Sequence, residues 1–211
     1  MKKIKPREMH TERLDIKIPT YEEQYYLWDI LRQENVNIYY QSTPSRFKTR
    51  REYQEALQDW DKQKKFFYEK IDNLDKDEHM YTWTLYLKGS DKLVGQMTVQ
   101  PNEKYDDLNI RNAGWFIDPK YQGQGLAYEA ALEIFKFMFN EVEIEKIETE
   151  SVIENPSSWK SMEKLGFVKT GTIKAGYKDM DENDIYKYTL YCTKDMFLEN
   201  VRETEKEKKL K

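Results

Sequence analysis

Residues 115–127 read Trp115-Phe116-Ile117-Asp118-Pro119-Lys120-Tyr121-Gln122-Gly123-Gln124-Gly125-Leu126-Ala127, and they pass from an apolar strand pattern through a glycine-rich loop into a helical pattern. At a helix start the first backbone N–H groups lack partners within the helix and lie at the positive end of its dipole. Glycines in such a loop carry no Cβ atom that would hold an anion away. This segment therefore predicts a binding site for a phosphate or pyrophosphate group.

The segments on either side of the loop alternate between strand and helix patterns. Period-two alternation and turn signals predict strands at 13–18, 81–87, 93–99, 113–117, 146–153, 167–174 and 184–192. A T-x-x-E capping box predicts a helix start at Thr20, and apolar spacing predicts helices at 125–140 and 157–165, the latter ended by a left-handed Gly166. The charged segment 50–74 predicts one long amphipathic helix or two shorter ones, packed onto the domain, over a substrate groove or against a partner subunit.

Composition limits the class of protein. The 211 residues fit one domain, and 16 Tyr, 9 Phe and 5 Trp supply an aromatic core. No apolar run is long enough for a membrane span or a signal peptide, so we expect a cytoplasmic protein without a membrane partner. A net charge of −4, spread along the chain, argues against a nucleic-acid partner. One cysteine, Cys192, and two histidines exclude a Cys/His zinc site, so we expect no metal.

Three phosphate-binding motifs can be compared with the loop. The Walker loop ends in Gly-Lys-Ser/Thr, which is absent, and the dinucleotide fingerprint requires Gly or Ala where Tyr128 stands. The third motif, Q/R-x-x-G-x-G/A, is satisfied by Gln122, Gly125 and Ala127. At this point the chain resembles the GNAT superfamily of acetyl-coenzyme-A-dependent N-acetyltransferases.

Two further motifs strengthen that resemblance. Residues 154–167, from Glu154-Asn155-Pro156-Ser157-Ser158 to Glu163-Lys164-Leu165-Gly166-Phe167, are similar to the family's N-x-x-S/A-x-x-x-x-E-K-L-G-F signature. Thr11-Glu12-Arg13-Leu14 looks like the T-E-R-L opening of the branch that contains the ribosomal-protein alanine N-acetyltransferases. The resemblance covers residues 11–197, although 44–78 looks longer than the usual family connection.

The resemblance implies a fold and a domain organisation. The fold is α+β, with a central mixed, mostly antiparallel sheet that is splayed between its fourth and fifth strands and flanked by helices. The helical segment near 44–78 is an addition to it. Residues 1–211 then form a single acetyltransferase domain, with a core at 11–197 and a charged C-terminal tail at 198–211 that frays or continues as a solvated helix.

The resemblance also implies transfer of acetyl from acetyl-CoA, as co-substrate, to a primary amine by direct attack in a ternary complex. The acceptor is a small molecule or a protein N-terminus, and the enzyme a monomer or homodimer. The residues that the family's pattern assigns to the cofactor are Phe116, Ile117, Gln122, Gly123, Gln124, Gly125, Leu126, Ala127 and Asn155. Lys164, four residues after Lys160 on one helical face, is added as a contact to the adenosine phosphates. Asn155 has a second interpretation as a turn residue before proline, and Lys164 as a solvated lysine.

The catalytic assignments remain open at several positions. Many family members place a tyrosine acid where this chain has Met162, so the resemblance transfers protonation of the thiolate to Ser158. The alternative is that Ser157 or Ser158 caps the helix that starts there. Deprotonating the amine requires a carboxylate or a water that it polarises. Glu148, Glu150 and Glu154 cluster on the fifth strand or just after it, and we select Glu150, with direct loss of the proton to solvent as the alternative.

Other functions compete with an enzyme. A CoA-binding sensor or scaffold is the alternative if Met162 and an absent base remove catalysis. An interaction protein that docks through its charged helices requires the glycine loop to be incidental. Cys192 is expected to be a buried apolar residue rather than a nucleophile.

Overall fold

The computed structural model describes residues 4–39, 50–74, 80–179, 181 and 183–209. One eight-stranded sheet has the order β1-β2-β3-β4-β5-β6-β8-β7, and its pairs are antiparallel except for β5 with β6. The strands are Met9–His10 (β1), Leu14–Lys17 (β2), Tyr81–Leu87 (β3), Leu93–Pro101 (β4), Ile110–Ile117 (β5), Lys146–Val152 (β6), Val168–Lys178 (β7) and Asp184–Thr193 (β8). The predicted mixed, mostly antiparallel sheet is confirmed.

Helices cover both faces of this sheet. They are Gln24–Leu31 (α1), Glu34–Asn37 (α2), Arg50–Leu57 (α3), Trp60–Leu74 (α4), Leu126–Asn140 (α5), Pro156–Lys164 (α6) and Lys194–Lys209 (α7). The main core lies between the sheet and α5, where Phe135 and Trp83 are fully buried. A second core joins α1 and α4 to the other face through Phe116 of β5. Neighbouring side chains of β5 therefore point into different cores, as strand geometry requires.

The splay between β5 and β6 is visible in their pairing. Because β1 is an additional short strand, β5 and β6 are the predicted fourth and fifth strands. Their described residues pair only at the beginning, where Ile110 lies opposite Lys146 and Arg111 opposite Ile147. Further along, the Thr149 hydroxyl donates to the Ala113 carbonyl at 2.9 Å, so a side chain takes the place of the backbone ladder. The predicted splay is confirmed, and it opens toward the carboxyl ends of both strands.

The first helix begins later than its capping box predicts. The Thr20 N–H does donate to the Glu23 carboxylate at 2.8 Å, but α1 starts at Gln24. The same carboxylate accepts hydrogen bonds from the Thr84 hydroxyl at 2.8 Å and the Tyr86 hydroxyl at 2.6 Å. Glu23 thus contacts β3 with its side chain while its backbone, at φ −77° and ψ −21°, forms the N-cap of α1.

The charged segment 50–74 forms two helices, α3 and α4, and they pack onto the domain. The Trp28 indole N–H donates to the Leu57 carbonyl at 2.7 Å and ties the end of α3 to α1. Packing onto the domain is therefore confirmed for the described part, whereas 44–49 and 75–78 lie outside the described residues. The short helix α2 was not predicted.

Helix α7 continues through the predicted boundary between core and charged tail at 198 and as far as Lys209. Phe197 is fully buried and its ring lies 5.2 Å from that of Phe139.

Gly166 has a φ of +92°, and a Cβ there would come within 3.1 Å of the Asn200 side chain, which confirms its left-handed role. No described helix is both long enough and apolar enough to cross a membrane.

Candidate active site

The loop between β5 and α5 has the geometry of an anion cradle. Gly123 and Gly125 adopt φ values of +74° and +77°, which favour glycine strongly. The first hydrogen bond of α5 runs from the Glu129 N–H to the Gly125 carbonyl at 3.1 Å, so the N–H groups of residues 126–128 precede the helical ladder. The Gln122 side chain turns back and donates to the Ile117 carbonyl at 2.9 Å, which anchors the loop to the end of β5.

A second set of contacts holds the loop against the connection between β1 and β2. Glu129, in the first turn of α5, accepts from the Thr11 hydroxyl at 2.6 Å, the Arg13 N–H at 2.8 Å and the Arg13 guanidinium at 2.6 Å. The same guanidinium donates to the Gln124 carbonyl at 2.8 Å. Although burial acts in the opposite direction, these contacts hold the pKa of Glu129 below its ordinary value. We call this set, Thr11, Arg13, Gln124 and Glu129, the loop clasp.

The loop opens on a cavity of about 890 Å³ that follows the gap between β5 and β6. Among the predicted site residues, those that line it are Phe116, Ile117, Gln122, Gly123, Gly125, Leu126, Ala127, Glu150, Asn155, Ser158 and Lys164. Gln124 is absent from the wall because its amide donates to the Lys120 carbonyl at 3.3 Å and its own carbonyl belongs to the loop clasp. Main-chain donors at one end and lysines on α6 fit a nucleotide diphosphate.

Helix α6 presents the serine signature to this cavity. Asn155 is the helix N-cap, and its side-chain oxygen accepts from the Ser158 N–H at 3.3 Å. The interpretation of Ser157 or Ser158 as the cap is therefore wrong, because Asn155 already fills that position. Met162, which is almost fully buried, also lines the cavity at the position where many family members carry a tyrosine.

Glu150 lies on the cavity wall within reach of two ammonium groups. Its carboxylate is 2.6 Å from Lys104 Nζ and 3.3 Å from Lys187 Nζ. Although burial raises it, these contacts keep the net pKa of Glu150 below its ordinary value. The other two carboxylates differ, since Glu148 accepts from the Tyr105 hydroxyl at 2.9 Å and Glu154 is exposed. Glu150 is the one carboxylate among the described residues of the cavity wall.

Cys192 cannot act as a nucleophile in this arrangement. The side chain is fully buried on β8, and burial raises the pKa of its thiol to about 12. A thiol needs its thiolate form to attack, and that form is scarce at neutral pH with such a value. Cys192 therefore packs as a small apolar residue. The described residues contain no group of three His, Cys, Asp or Glu side chains placed to hold a metal ion.

Several residues of the site were missed by sequence reasoning. Arg13 and Glu129 carry the loop clasp, and the T-E-R-L motif was the available signal for Arg13. Lys104 and Lys187 reach Glu150 from the β4–β5 loop and from β8, and nothing in their local sequence indicates this. Tyr39, just after α2, lines the cavity although α2 itself was not predicted.

Comparison with known proteins places this geometry in a family. Residues 13–168 match the family model described as the acetyltransferase (GNAT) domain. An uncharacterized N-acetyltransferase of Bacillus subtilis, YnaD, is 29% identical over 102 residues, which are 48% of this chain and 58% of that relative. The match thus spans less than two thirds of the relative's length.

Solved structures share the fold at low sequence identity. A spermidine N-acetyltransferase from Vibrio cholerae in complex with CoA and spermine superposes with a TM-score of 0.69 and 15% identity, over 88% of this chain and 98% of that one. A ribosomal-protein-S5-alanine acetyltransferase from Vibrio fischeri gives a TM-score of 0.68 and 17% identity, over 90% and 98%. The family model covers well over half of the residues of this chain. The chain therefore belongs to the GNAT acetyltransferase family.

Proposed function

We propose that this protein transfers an acetyl group from acetyl-CoA to a primary amine in a single ternary complex. The observation that carries the proposal is the main-chain cradle of the β5–α5 loop, which opens directly into the gap between β5 and β6. Membership of the GNAT family supports it. The proposal keeps a single domain at 1–211, a cytoplasmic location and a monomer or homodimer.

Binding of the co-substrate is assigned to groups along one side of the cavity. Acetyl-CoA, when bound, supplies the activated acetyl thioester. The backbone N–H groups of 122–127 bind its pyrophosphate, and the backbone of Phe116 and Ile117 pairs with its pantetheine arm. Asn155 and Lys164 contribute side-chain contacts from α6. A site of this kind takes its affinity from fixed N–H groups that need no reorganisation.

Two side chains are assigned to proton movement. Ser158 Oγ passes its proton to the departing sulfur and takes one back from the acceptor nitrogen, which loses its second N–H proton as the amide bond forms and the carbon–sulfur bond breaks. Glu150 takes the proton of the acceptor ammonium, directly or through a water. Because Lys104 and Lys187 hold the pKa of Glu150 low, this carboxylate is deprotonated and ready at neutral pH, but it is a weak base. The proton therefore passes on to solvent rather than resting on Glu150.

Replacing Ser158 by Ala tests the proposal against a CoA-binding sensor. A general acid contributes about 100-fold or more to a rate, so S158A should lower kcat by about that factor. Binding of acetyl-CoA, measured by isothermal titration calorimetry, should stay within about twofold. Ser157→Ala is the matched control, because Ser157 lies beside Ser158 on the same helix and the same cavity wall.

The opposing outcomes are distinct. A sensor predicts heat on titration with acetyl-CoA but no release of CoA by the wild type with any amine. An interaction protein predicts no heat at all. Equal activity of S158A and wild type would remove Ser158 from the mechanism while leaving the transferase in place.

A further inference from the structure

The acceptor side of the cavity can be located from strand register. Ile110 of β5 lies opposite Lys146 of β6, and the contact between Ala113 and Thr149 keeps the same offset. Continuing that offset places Glu150 across the gap from Gly114. Gly114 shares its strand face with Phe116, which packs against the α1 core. Glu150 therefore faces the side of the sheet covered by α1 and α2, opposite to α5.

Lys187 belongs to the same face. In the β6–β8 pair Val152 lies opposite Lys187, and Val152 shares a strand face with Glu150. Lys187 lines the cavity, and only 7% of its surface is exposed. Its Nζ is 3.3 Å from the Glu150 carboxylate. We call this part of the cavity the acceptor chamber. Its wall comprises Asn35, Tyr39, Gln100, Asn112, Glu150 and Lys187.

Among the described residues, the charges of the acceptor chamber do not balance. One carboxylate, that of Glu150, meets two ammonium groups, those of Lys104 and Lys187. Lys104 is half exposed and reaches Glu150 from outside the described cavity wall, so Lys187 is the wall lysine at this carboxylate; the other two, Lys160 and Lys164, lie on α6. The Lys187 ammonium also lies 5.2 Å from the centre of the Tyr177 ring, but a largely buried ammonium group that shares its carboxylate with another lysine is incompletely compensated. An anion entering the chamber would complete the pairing.

This imbalance discriminates between acceptors. A polyamine brings two or more further positive charges into a chamber whose one described carboxylate already contacts two lysines, and like charges repel strongly where water is excluded. An acceptor that has both an ammonium and a carboxylate matches the chamber, with the ammonium toward Glu150 and the carboxylate toward Lys187. The imbalance thus favours a zwitterionic or acidic amine.

We propose that the acceptor is a primary amine carrying a carboxylate within a few bonds, and that Lys187 binds this carboxylate. A free amino acid and a peptide N-terminus followed by an acidic side chain both have this chemistry. The inference rests on the proposed acetyl transfer and adds the acceptor class to it. It assigns Lys187 as a specificity residue.

Matched acceptor pairs test the proposal through CoA release. One arm compares each common amino acid with its carboxamide, a second compares peptides that begin Ala-Asp and Ala-Asn, and a third uses spermidine. In at least one of the first two arms we expect the acid to exceed its amide by about tenfold or more in kcat/KM, the discrimination typical of one buried charged contact. Whichever arm shows that ratio identifies the source of the carboxylate.

Variants then connect the ratio to Lys187. Lys187→Met keeps the aliphatic stem and removes the charge, and it should bring the acid-to-amide ratio close to one without changing acetyl-CoA binding. Lys136→Met is the control, because Lys136 lies on α5, is partly exposed and is not part of the described cavity wall. If K187M does not fold, the acid-to-amide ratio of the wild type decides the acceptor class by itself. K187R, which keeps the charge, should then retain that ratio.

Each outcome bears on one proposal or both. Preference for spermidine, or equal turnover of acid and amide, overturns the acceptor class while leaving acetyl transfer intact. An unchanged ratio in K187M overturns the role of Lys187. Absence of CoA release in every arm removes the transferase function, and the acceptor assignment with it.

Discussion

The two sides of the β5–β6 gap are built by different means. On the side to which we assign acetyl-CoA, the cofactor side, one continuous segment supplies backbone N–H groups whose direction is set by two left-handed glycines and by the loop clasp. On the acceptor side, the wall is made of single side chains from five separate regions: α2 with Tyr39 after it, β4, β5, β6 and β8. Main-chain geometry tolerates change in side chains, whereas a wall of side chains can be altered one residue at a time. The comparison explains how one family can keep a cofactor and change its acceptor.

The largest effect is expected where the cofactor side depends on backbone angle. Gly125→Val places a β-branched residue at a φ of +77°, a conformation that is strongly disfavoured for such residues, so the loop has to move. We expect acetyl-CoA binding to weaken by about 100-fold, or about 3 kcal/mol, in isothermal titration calorimetry. Gly176→Val is the control, because a Cβ there meets nothing within 4 Å and its φ is not positive. Unchanged affinity in G125V would mean that side chains, not backbone, hold the cofactor.

A smaller effect is expected in the loop clasp, where a carboxylate supports the main chain. Glu129→Gln removes the charge of the carboxylate that accepts hydrogen bonds from Thr11 and Arg13. We expect the free energy of unfolding at pH 7, measured by urea denaturation, to fall by about 1–3 kcal/mol. Folding lowers the pKa of Glu129 from an ordinary value of 4.5, so its contribution is complete above that value and fades as pH falls through the folded pKa. The difference between variant and wild type should therefore shrink in acid.

The control for the clasp is Glu133→Gln, four residues further along α5, whose nearest ammonium, that of Lys136, is 4.0 Å away. The free energy of unfolding of E133Q should stay within about 0.5 kcal/mol of the wild-type value at both ends of the pH range. If E129Q lowers the free energy of unfolding by the same amount at every pH, the shape of the Glu129 side chain rather than its charge stabilises the loop clasp.

The same contrast explains what could be predicted from sequence. The β5–α5 loop, Asn155 and the β3–β4 hairpin were found because each is a local pattern with its own backbone geometry. Lys187 was missed because its role depends on which residue of β6 lies beside it, and strand register is set by the whole sheet. The short helix α2 carries too few residues for a periodic signal. The capping box at Thr20 predicts the start of α1 only to within a few residues, and the contact of Glu23 with Thr84 of β3, about sixty residues away in the chain, is not visible in that local pattern.

The smallest effect concerns Thr149, which stands where the two sides meet. Its hydroxyl donates to the Ala113 carbonyl at 2.9 Å at the point where the β5–β6 ladder ends. Thr149→Val keeps the shape of the side chain but leaves the Ala113 carbonyl without this donor. We expect the free energy of unfolding to fall by about 1 kcal/mol and the Tm by about 2–4 °C. Thr172→Val, at an exposed position of β7, should leave the Tm unchanged or slightly higher.

The Thr149 variant also tests whether the two sides are coupled. If the hydroxyl fixes the width of the gap, T149V should weaken acetyl-CoA binding and raise the KM of the acceptor together, since both ligands meet between the same two strands. If only the Tm falls, the gap is held open by the packing of Phe116 and Ile117 into separate cores, and Thr149 merely satisfies a buried carbonyl. A rise in Tm would contradict both explanations, because it would mean that the hydroxyl costs more to bury than its hydrogen bond returns.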